Sequence, residues 1–567
     1  MSPPAASSVA APPPQGGWRW AAAEVLFLFL MFFVYAGLPP PDVGEAHYLA
    51  KAKHYWDPSW CRGDLFLESQ DAHGVFYWTF GWVTRLVSLT AAAWLGRSIT
   101  WLLLAWSWQR LSASVAPLRL MSILTGGLML LFIRRFHMAG EWIVGGVEAK
   151  GFSYVLVLLA LEAVVRERWR LAFVLVGGAT AFHVLVGGWT SLAIAGAWFV
   201  CGRRQVSPLQ LAPALTAAAA LAAVGIVPAL ALSRGIDPAI VSEANRIYVF
   251  DRLSHHLVFH RFGAIVILRH ALLLAAWATL AWWTYRENPG LGRLDAVVLA
   301  GVAIGAVGVL IDQGLVALAN SQELSKDDYQ RLAAPILKYY WFRLSDSLVA
   351  IGAALALGRV LVSLISKGLA SGSWGIIVAM LAVGANLTQI GYERSRQRLP
   401  GSFVQPRPTV DLQVDRSVAE GSSVVTVRPP ALSARQQFEY WRDVCRWVKD
   451  NTPPDAKVLT PRRQQTFKWY AQRPEVVSWK DVPQDAAGIV AWKQTLTEVF
   501  PPGSGQLDLA FHGDEKLVAL AREHGASYIL IDRTRSTRPI GLLPVYPDLP
   551  RHNPAYAVYR VPQAPPP

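Results

Sequence analysis

Ionisable side chains are concentrated in one stretch near the start of the chain, residues 39–77, directly after the first apolar segment. Its titratable residues include Asp42, Glu45, His47, Lys51, Lys53, His54, Asp57, Arg62, Asp64, Glu68, Asp71 and His73. Charged groups beside a membrane segment are costly unless they face water or a binding site. We therefore expect an active surface here, on which a carboxylate acts as a general base toward an acceptor hydroxyl or coordinates a metal ion.

Two carboxylates of this stretch, Asp42 and Glu45, have two interpretations. Pro39–Pro41 cannot continue the preceding helix, and residues 45–55 contain good helix formers, so a new helix is expected near Glu45. Either carboxylate could be the base. Equally, Asp42-Val-Gly-Glu45 has the spacing of a capping box, in which both side chains only satisfy N–H groups of the first turn. Three neighbours on that helix are candidates for substrate binding: His47, Tyr48 and Lys51.

The remainder of the chain predicts a polytopic membrane protein. Of the 567 residues, 53% are hydrophobic, and apolar runs recur at the length of about 15–25 residues that crosses a bilayer core roughly 30 Å thick. Eleven spans are predicted, at residues 21–38, 91–113, 119–135, 152–167, 170–184, 185–202, 209–231, 263–284, 294–318, 345–366 and 373–391. Residues 76–89 carry several aromatics and a mid-run arginine, which favours an amphipathic helix lying in the interface.

Basic residues set the expected orientation of these spans. With the N-terminus inside, the short arginine-rich turns fall on the cytoplasmic side, as the positive-inside rule requires, and Arg134 and Arg135 are the exception. This arrangement accounts for the net charge of +14, so no nucleic-acid partner is inferred. The first loop, the loops around residues 141–150, 232–262 and 319–344, and the C-terminal part then lie on the outer face.

Further charged candidates fall on that outer face. Glu141, Glu148 and Lys150 lie in a loop flanked by glycines, where they either complete a site with Glu45 or form a solvated turn. Arg343 borders the tenth predicted span. It could hold a lipid-linked phosphate by charge-assisted hydrogen bonds, or it could simply anchor the helix at the interface.

The composition becomes polar after about residue 406, which predicts a separate small α/β domain over residues 406–567. Helices are predicted at 433–449 and 515–524, and strands at 457–460, 475–479, 527–532 and 556–561. Residues 1–20 are rich in Pro, Ala and Ser and are predicted to be a disordered tail. The three cysteines have neither a metal-type spacing nor that of a disulfide framework.

Several runs of the chain resemble the C-type (GT-C) integral-membrane glycosyltransferases, such as protein mannosyltransferases and the aminoarabinose transferases of lipid A. The resemblance begins with Glu45-Ala-His-Tyr48, an E-x-x-Y sequence that follows the first apolar helix. The runs GEWIVGGVEAKGF, KYYWFRLSD and NTPPDAKVLTP further resemble a group of uncharacterised bacterial multi-pass membrane proteins of that general architecture. Together the runs extend over nearly the whole chain.

This resemblance implies a mainly α fold: a polytopic helical membrane domain of about 11 transmembrane helices over residues 21–391, in a bacterial inner membrane, with a small extracytoplasmic α/β domain. The implied activity is transfer of a hexosyl or pentosyl sugar from a polyprenyl-phosphate donor, at the surface of the lipid bilayer, to a glycan, lipid or protein acceptor. The catalytic carboxylate maps onto Glu45 or Asp42. Many members have an adjacent Asp-Glu pair where this chain has Gly44-Glu45. That departure leaves the base and a divalent metal open, and no other cofactor is implied.

A non-enzymatic protein is the competing interpretation, either a lipid-carrier transporter or a cell-envelope assembly scaffold, and a sugar polymerase is a third. A transporter is expected to contain internal repeats and polar residues near the midplane of its spans. This sequence has no obvious repeat, and its ionisable residues cluster at the outer interface. That distribution favours chemistry at the membrane surface.

Overall fold

The computed structural model describes residues 17–287, 292–403, 432–504, 508–535 and 540–563. Most of the predicted tail therefore lies outside the described residues. Eleven helices stand where the eleven spans are predicted: α1 (Trp18–Ala36), α5 (Leu89–Val115), α6 (Met121–Phe136), α7 (Ala149–Val165), α8 (Trp169–Phe182), α9 (Val184–Ala197), α10 (Pro208–Ala231), α13 (Ala264–Glu287), α14 (Gly292–Ser321), α16 (Arg343–Ser366) and α17 (Ala370–Gln397). Among the described residues, seven helices are long and apolar enough to cross a membrane, and α8 is apolar but shorter.

Ion pairs between helix ends agree with the alternating direction of the eleven helices. Arg134 Nη2, in the last turn of α6, lies 2.6 Å from Glu393 Oε2 near the end of α17. Arg293 Nη1, at the start of α14, lies 2.7 Å from Oε1 of Glu167, a residue just after the end of α7. Arg134 is an exception to the positive-inside rule. Its pairing with the Glu393 carboxylate offsets its positive charge.

The connections at one end of the bundle, here called the loop end, contain six further helices: α2 (Glu45–Trp56), α3 (Leu65–Glu68), α4 (Gly74–Thr79), α11 (Pro238–Arg246), α12 (Ser254–Leu257) and α15 (Lys326–Leu337). The single amphipathic helix predicted over residues 76–89 is wrong. The segment consists of α4 and a 3-10 helix, Gly81–Arg85. Gly81 packs so closely on α2 that a Cβ there would lie 2.9 Å from Ala52 Cβ. This part of the segment therefore lies against α2.

The residues from 432 onward form a small unit of helices and strands, here called the C-terminal unit. Its helices are α18 (Ala434–Asn451), α19 (Phe467–Ala471), α20 (Ala486–Val499) and α21 (Asp514–Glu523). Its strands are β1 (Val458–Leu459), β2 (Tyr528–Asp532), β3 (Pro544–Tyr546) and β4 (Tyr556–Arg560). The sheet order is β1-β2-β4-β3, and only the β1–β2 pair is parallel. The strand predicted over 475–479 is wrong, because Glu475 makes one isolated bridge to Val458 and its side chain joins a buried ion cluster.

That ion cluster joins the C-terminal unit to the first loop. Lys468 Nζ lies 2.5 Å from Glu475 Oε1, 2.6 Å from Asp481 Oδ2 and 3.3 Å from Asp64 Oδ2, and all four side chains are almost fully buried. Asp64 also accepts a hydrogen bond from the Glu475 amide (3.1 Å). One cation thus faces three carboxylates, and burial raises the pKa of Glu475 to about 7. Buried charge therefore fixes the C-terminal unit against the loop end.

Candidate functional site

A cavity of about 530 Å³ lies between the loop end of the bundle and the C-terminal unit. Its apolar side is formed by the ends of α8, α9 and α10, including Phe182, Val186 and Leu230. Its polar side is formed by groups from distant parts of the chain: Tyr48, Glu141, Glu148, Lys150, Lys338 and Arg343. Five of these six were candidate site residues in the sequence, and the fold brings them to one wall.

Two cations of the cavity share one carboxylate. Glu141 Oε1 lies 3.1 Å from Lys150 Nζ, and Glu141 Oε2 lies 3.4 Å from Arg343 Nε. Each cation also lies over an aromatic ring, Lys150 3.8 Å from the centroid of Trp142 and Arg343 4.2 Å from that of Tyr340. Ring faces attract cations and fix their positions. The two positive charges therefore stand side by side at the polar wall.

Glu141 is held in place by a carboxylate that sequence reasoning did not select. Asp346, in the first turn of α16, accepts hydrogen bonds from the amides of Met138 (2.7 Å), Ala139 (2.8 Å) and Glu141 (3.3 Å). The same helical turn carries Arg343. One turn of α16 thus positions both members of the Glu141–Arg343 pair.

Glu148 is a carboxylate of the cavity in an unusual environment. It directly precedes α7, yet its side chain does not cap that helix. Burial raises its pKa to about 7, against the opposing effect of Lys150, and the carboxylates of Asp42, Glu45 and Glu141 raise it further. A carboxyl group with this pKa can both take and return a proton near neutral pH.

Glu45 has a different environment from the one that a base requires. Its carboxylate is completely buried against Arg97, whose Nε and Nη2 donate to Oε1 (2.6 Å) and Oε2 (2.5 Å). Oε1 also accepts from the Val147 amide (2.9 Å), and Oε2 accepts from the Asp42 amide (2.7 Å). The last bond is one half of the capping box. The other half is absent, because Asp42 Oδ1 accepts from the Val43 amide instead (2.8 Å).

Three remaining candidates lie outside this cavity. Asp42 is half-buried, and a Cβ on Gly401 would overlap its carboxylate. His47 packs on the ring of Phe66 at 4.3 Å between centroids, and burial lowers its pKa well below the ordinary value. Lys51 lines a second, more open cavity of about 750 Å³ and donates to Phe66 O (2.7 Å) and to Ser69 O (2.5 Å) and Oγ (2.7 Å). Its ammonium group is therefore committed to the loop.

The cavity also contains tyrosines that sequence reasoning missed. Tyr340 OH lies 2.9 Å from Tyr248 OH, and both rings line the cavity. Tyr340 has a φ of 55°, a conformation that costs a bulky residue of order 1–3 kcal/mol and that is concentrated at functional sites. The signal was present in the run KYYWFRLSD, which places two tyrosines just before Arg343.

The donor set of the cavity does not match a metal site. Within the described ranges, no group of three or more His, Cys, Asp or Glu side chains could hold a metal ion. Both oxygens of Glu45 are already occupied by four donors. We therefore assign no step of a reaction to a metal.

Gly44 controls the position of Glu148. A Cβ at residue 44 would overlap Glu148 Oε1, although the backbone there is helical and accepts any residue (φ −85°, ψ −26°). We expect Gly44→Ala to displace the Glu148 carboxylate while the fold persists. If Glu148 takes part in catalysis, activity should fall by up to about 10²-fold, since a misplacement of 1 Å can cost that much.

The matched control for this change is Gly384→Ala in α17, where an added Cβ would contact nothing within 4 Å. The measurement is the sugar-transfer activity that the sequence resemblance implies, assayed in membranes and normalised to folded protein. Full activity of Gly44→Ala would contradict the proposed importance of the Glu148 position.

Comparison with known proteins shows only weak similarity. Residues 439–499 match a family model described as a domain of unknown function (DUF6798). No curated protein matches the chain. One similar solved structure is the oligosaccharyltransferase AglB of Archaeoglobus fulgidus in complex with an inhibitory peptide and a dolichol-phosphate, with 10% identity, a TM-score of 0.43, and coverage of 90% of this chain and 69% of that chain.

A second similar structure is the A. fulgidus oligosaccharyltransferase in complex with Zn and sulfate, with 12% identity, a TM-score of 0.39, and coverage of 90% of this chain and 67% of that chain. At such identities and TM-scores, neither likeness bears on the roles of particular residues.

Proposed function

We propose that the chain is a membrane glycosyltransferase that moves a sugar from a polyprenyl-phosphate donor to an acceptor hydroxyl at the loop end of the bundle. The observation that carries this proposal is the two-sided cavity. Its apolar wall is formed by the ends of membrane-type helices, and its polar wall carries Lys150, Arg343 and Glu148. An isoprenoid chain with a phosphate at its end has the matching distribution of apolar surface and charge.

The donor phosphate is assigned to the Lys150–Arg343 pair. Charge-assisted hydrogen bonds from guanidinium and ammonium groups to phosphate are among the strongest in proteins. Among the described residues, Arg343 Nε has no hydrogen-bond partner, and it is paired with Glu141 only at 3.4 Å. It can therefore turn to a phosphate without losing a hydrogen bond.

Glu148 is assigned as the general base, in place of Glu45. The acceptor hydroxyl gives its proton to the Glu148 carboxylate, and its oxygen bonds to the anomeric carbon of the donor sugar. The bond from that carbon to the phosphate oxygen breaks, and the electron pair leaves on the phosphate, where Lys150 and Arg343 stabilise the charge. Asp42 remains the alternative base, because only one of its oxygens accepts a hydrogen bond within the described residues.

Glu45 is assigned a positioning role. Its ion pair with Arg97 of α5 and its bond from the Val147 amide join the start of α2 to the residue that precedes Glu148. Both Glu45 oxygens are occupied, so accepting a substrate proton would require the ion pair to break. Breaking a buried pair in that way typically costs about 3–5 kcal/mol.

Binding of the donor lipid tests the phosphate assignment. Arg343→Gln is expected to weaken retention of a polyprenyl phosphate by the purified protein about 10- to 100-fold, since a hydrogen bond to a charged group contributes about 1.5–3 kcal/mol. The matched control is Arg359→Gln on the same helix, which should bind as the wild type does. Equal retention by both variants would place the phosphate elsewhere.

The orientation in the membrane is tested by reporters that are active on only one side. We expect a fusion after residue 115, at the end of α5, to report the cytoplasm. A fusion at the C-terminus is expected to report the outer face, because an odd number of predicted spans separates the two fusion points. The same side for both fusions would contradict the eleven-span arrangement.

A further inference from the structure

Four basic side chains near the cavity have no part in the proposed reaction. Arg252 comes from the segment between α11 and α12, and Arg462, Arg463 and Lys480 come from the C-terminal unit. Trp479 lies among them: the guanidinium carbons of Arg252 and Arg462 are 5.6 Å and 5.1 Å from its ring centroid. Two separate segments thus bring positive charge to one aromatic ring.

One nitrogen of each guanidinium group at Trp479 lacks a hydrogen-bond partner among the described residues. Arg252 Nε and Arg462 Nε are buried, and neither has a hydrogen-bond partner within the described part of the chain. The large majority of buried side-chain polar atoms in proteins are hydrogen-bonded, and an unpaired charged donor is especially costly. Two such donors lie beside one ring, and a single anionic ligand bound there would satisfy both.

The carboxylates around this group are engaged elsewhere. Asp481 Oδ2 is held by Lys468 at 2.6 Å, and Asp251 Oδ2 by Lys493 at 2.8 Å. The Asp508 carboxylate accepts from the backbone amide of Arg462 rather than from its guanidinium group (3.1 and 3.3 Å). Burial lowers the pKa of Lys480, and the nearby Arg252 lowers it further. The local charge is thus positive and only partly compensated.

We propose that Arg252 and Arg462, with Lys480, form a binding site for an oxyanion carried by a sugar, either a carboxylate or a phosphate ester. A guanidinium group stacked on an aromatic ring keeps its N–H edge free, and that edge fits the two oxygens of such an anion. The site adjoins the cavity, because Arg252 belongs to the same helical segment, Ile247–Arg252, as Tyr248, which lines the cavity. This inference rests on the proposed function in identifying the bound sugar as the acceptor, which would then be acidic.

Binding to anionic lipid headgroups is the less favoured alternative. Membrane-surface binding uses exposed clusters of basic side chains. Here the Nε atoms of Arg252 and Arg462 are buried. A discrete ligand that enters the site satisfies such donors better than a membrane surface does.

Equilibrium binding to the purified full-length protein tests the site without any turnover. The probes are glucuronate, glucose 6-phosphate and, as the neutral reference, glucose. We expect both anionic sugars to bind the wild type, and glucose to bind at least about 10-fold more weakly. Arg252→Gln and Arg462→Gln are each expected to weaken the anionic probes about 10-fold or more, in line with one lost charge-assisted bond. Arg442→Gln, on the exposed face of α18, is the matched control and should bind normally.

The melting temperature separates this result from misfolding. Because each substitution removes a poorly paired cation, Arg252→Gln and Arg462→Gln should melt no lower than the wild type. The proposal would be overturned if the wild type bound neither anionic sugar, or if both variants bound the anionic sugars as the wild type does. Loss of sugar binding in Arg343→Gln alone would also overturn it, because the probes would then lie in the cavity. The same holds if Arg252→Gln and Arg462→Gln weakened only the binding of phosphatidylglycerol vesicles, which would identify a membrane contact. Failure of sugar transfer alone would count against the proposed function and leave this binding result intact.

Discussion

Replacing Glu148 with Gln is expected to lower the rate of sugar transfer by about 10²–10⁴, which is the usual contribution of a general base. The substitution keeps the size of the side chain and removes only the proton acceptor. Glu148 is buried within a group of four carboxylates, so loss of one negative charge should not destabilise the fold. Transfer should be measured in membranes with a polyprenyl-phosphate-linked sugar and normalised to folded protein.

The pH dependence gives this prediction a second readout. A base must be deprotonated to act, so kcat/KM of the wild type should rise with pH through about 7, the raised pKa of Glu148. Glu148→Gln should lose that rise. Asp42→Asn is the comparison that separates the two candidate bases. If Asp42→Asn removes the rise and Glu148→Gln retains it, Asp42 is the base.

Replacing Lys468 with Met is expected to have the largest effect on stability. It would leave Asp64, Glu475 and Asp481 facing one another without a cation in a buried site. Removing one partner of a buried ion pair typically costs about 3–5 kcal/mol. Hydrogen exchange of the β1 and β2 amides measures the free energy of local opening, and we expect protection there to fall by that amount.

The control for this change is Lys449→Met, the same substitution at an exposed position of α18. The effect of pH has a definite sign. Because the folded state raises the pKa of Glu475 to about 7, this group makes the protein less stable as pH rises from its unfolded pKa, near 4.3, to 7. Lys468→Met should make that loss steeper. Equal protection in both variants would mean that the ion cluster does not hold the C-terminal unit.

Much of the fold could be predicted because hydrophobic length is a local property. Each of the eleven predicted spans has a helix, and the strands predicted around residues 458, 529 and 558 are confirmed. The error at residues 475–479 has a physical cause. The sequence there predicted a strand, whereas Glu475 is buried in an ion cluster that includes Asp64 of the first loop, a distant contact that no local pattern reveals.

The candidate site was harder to predict for the same reason. Glu45 and Arg97 are far apart in sequence, so the spacing around Glu45 gave no indication that a buried arginine occupies both of its oxygens. Glu148 was selected only as a loop residue. Its raised pKa depends on burial and on three carboxylates, Asp42 and Glu45 from the first loop and Glu141 from its own loop. Long-range packing, rather than residue type, distinguishes the carboxylates.

The most direct measurement of the central claim is a structure of the protein with a bound polyprenyl-phosphate sugar. We expect the phosphate within hydrogen-bond distance of Arg343 and Lys150, about 2.7–3.2 Å. The isoprenoid chain should lie along Phe182, Val186 and Leu230, and Glu148 should face the anomeric carbon of the sugar. A phosphate bound instead in the cavity lined by Lys51 and Arg62, with Glu148 remote from the sugar, would contradict this account.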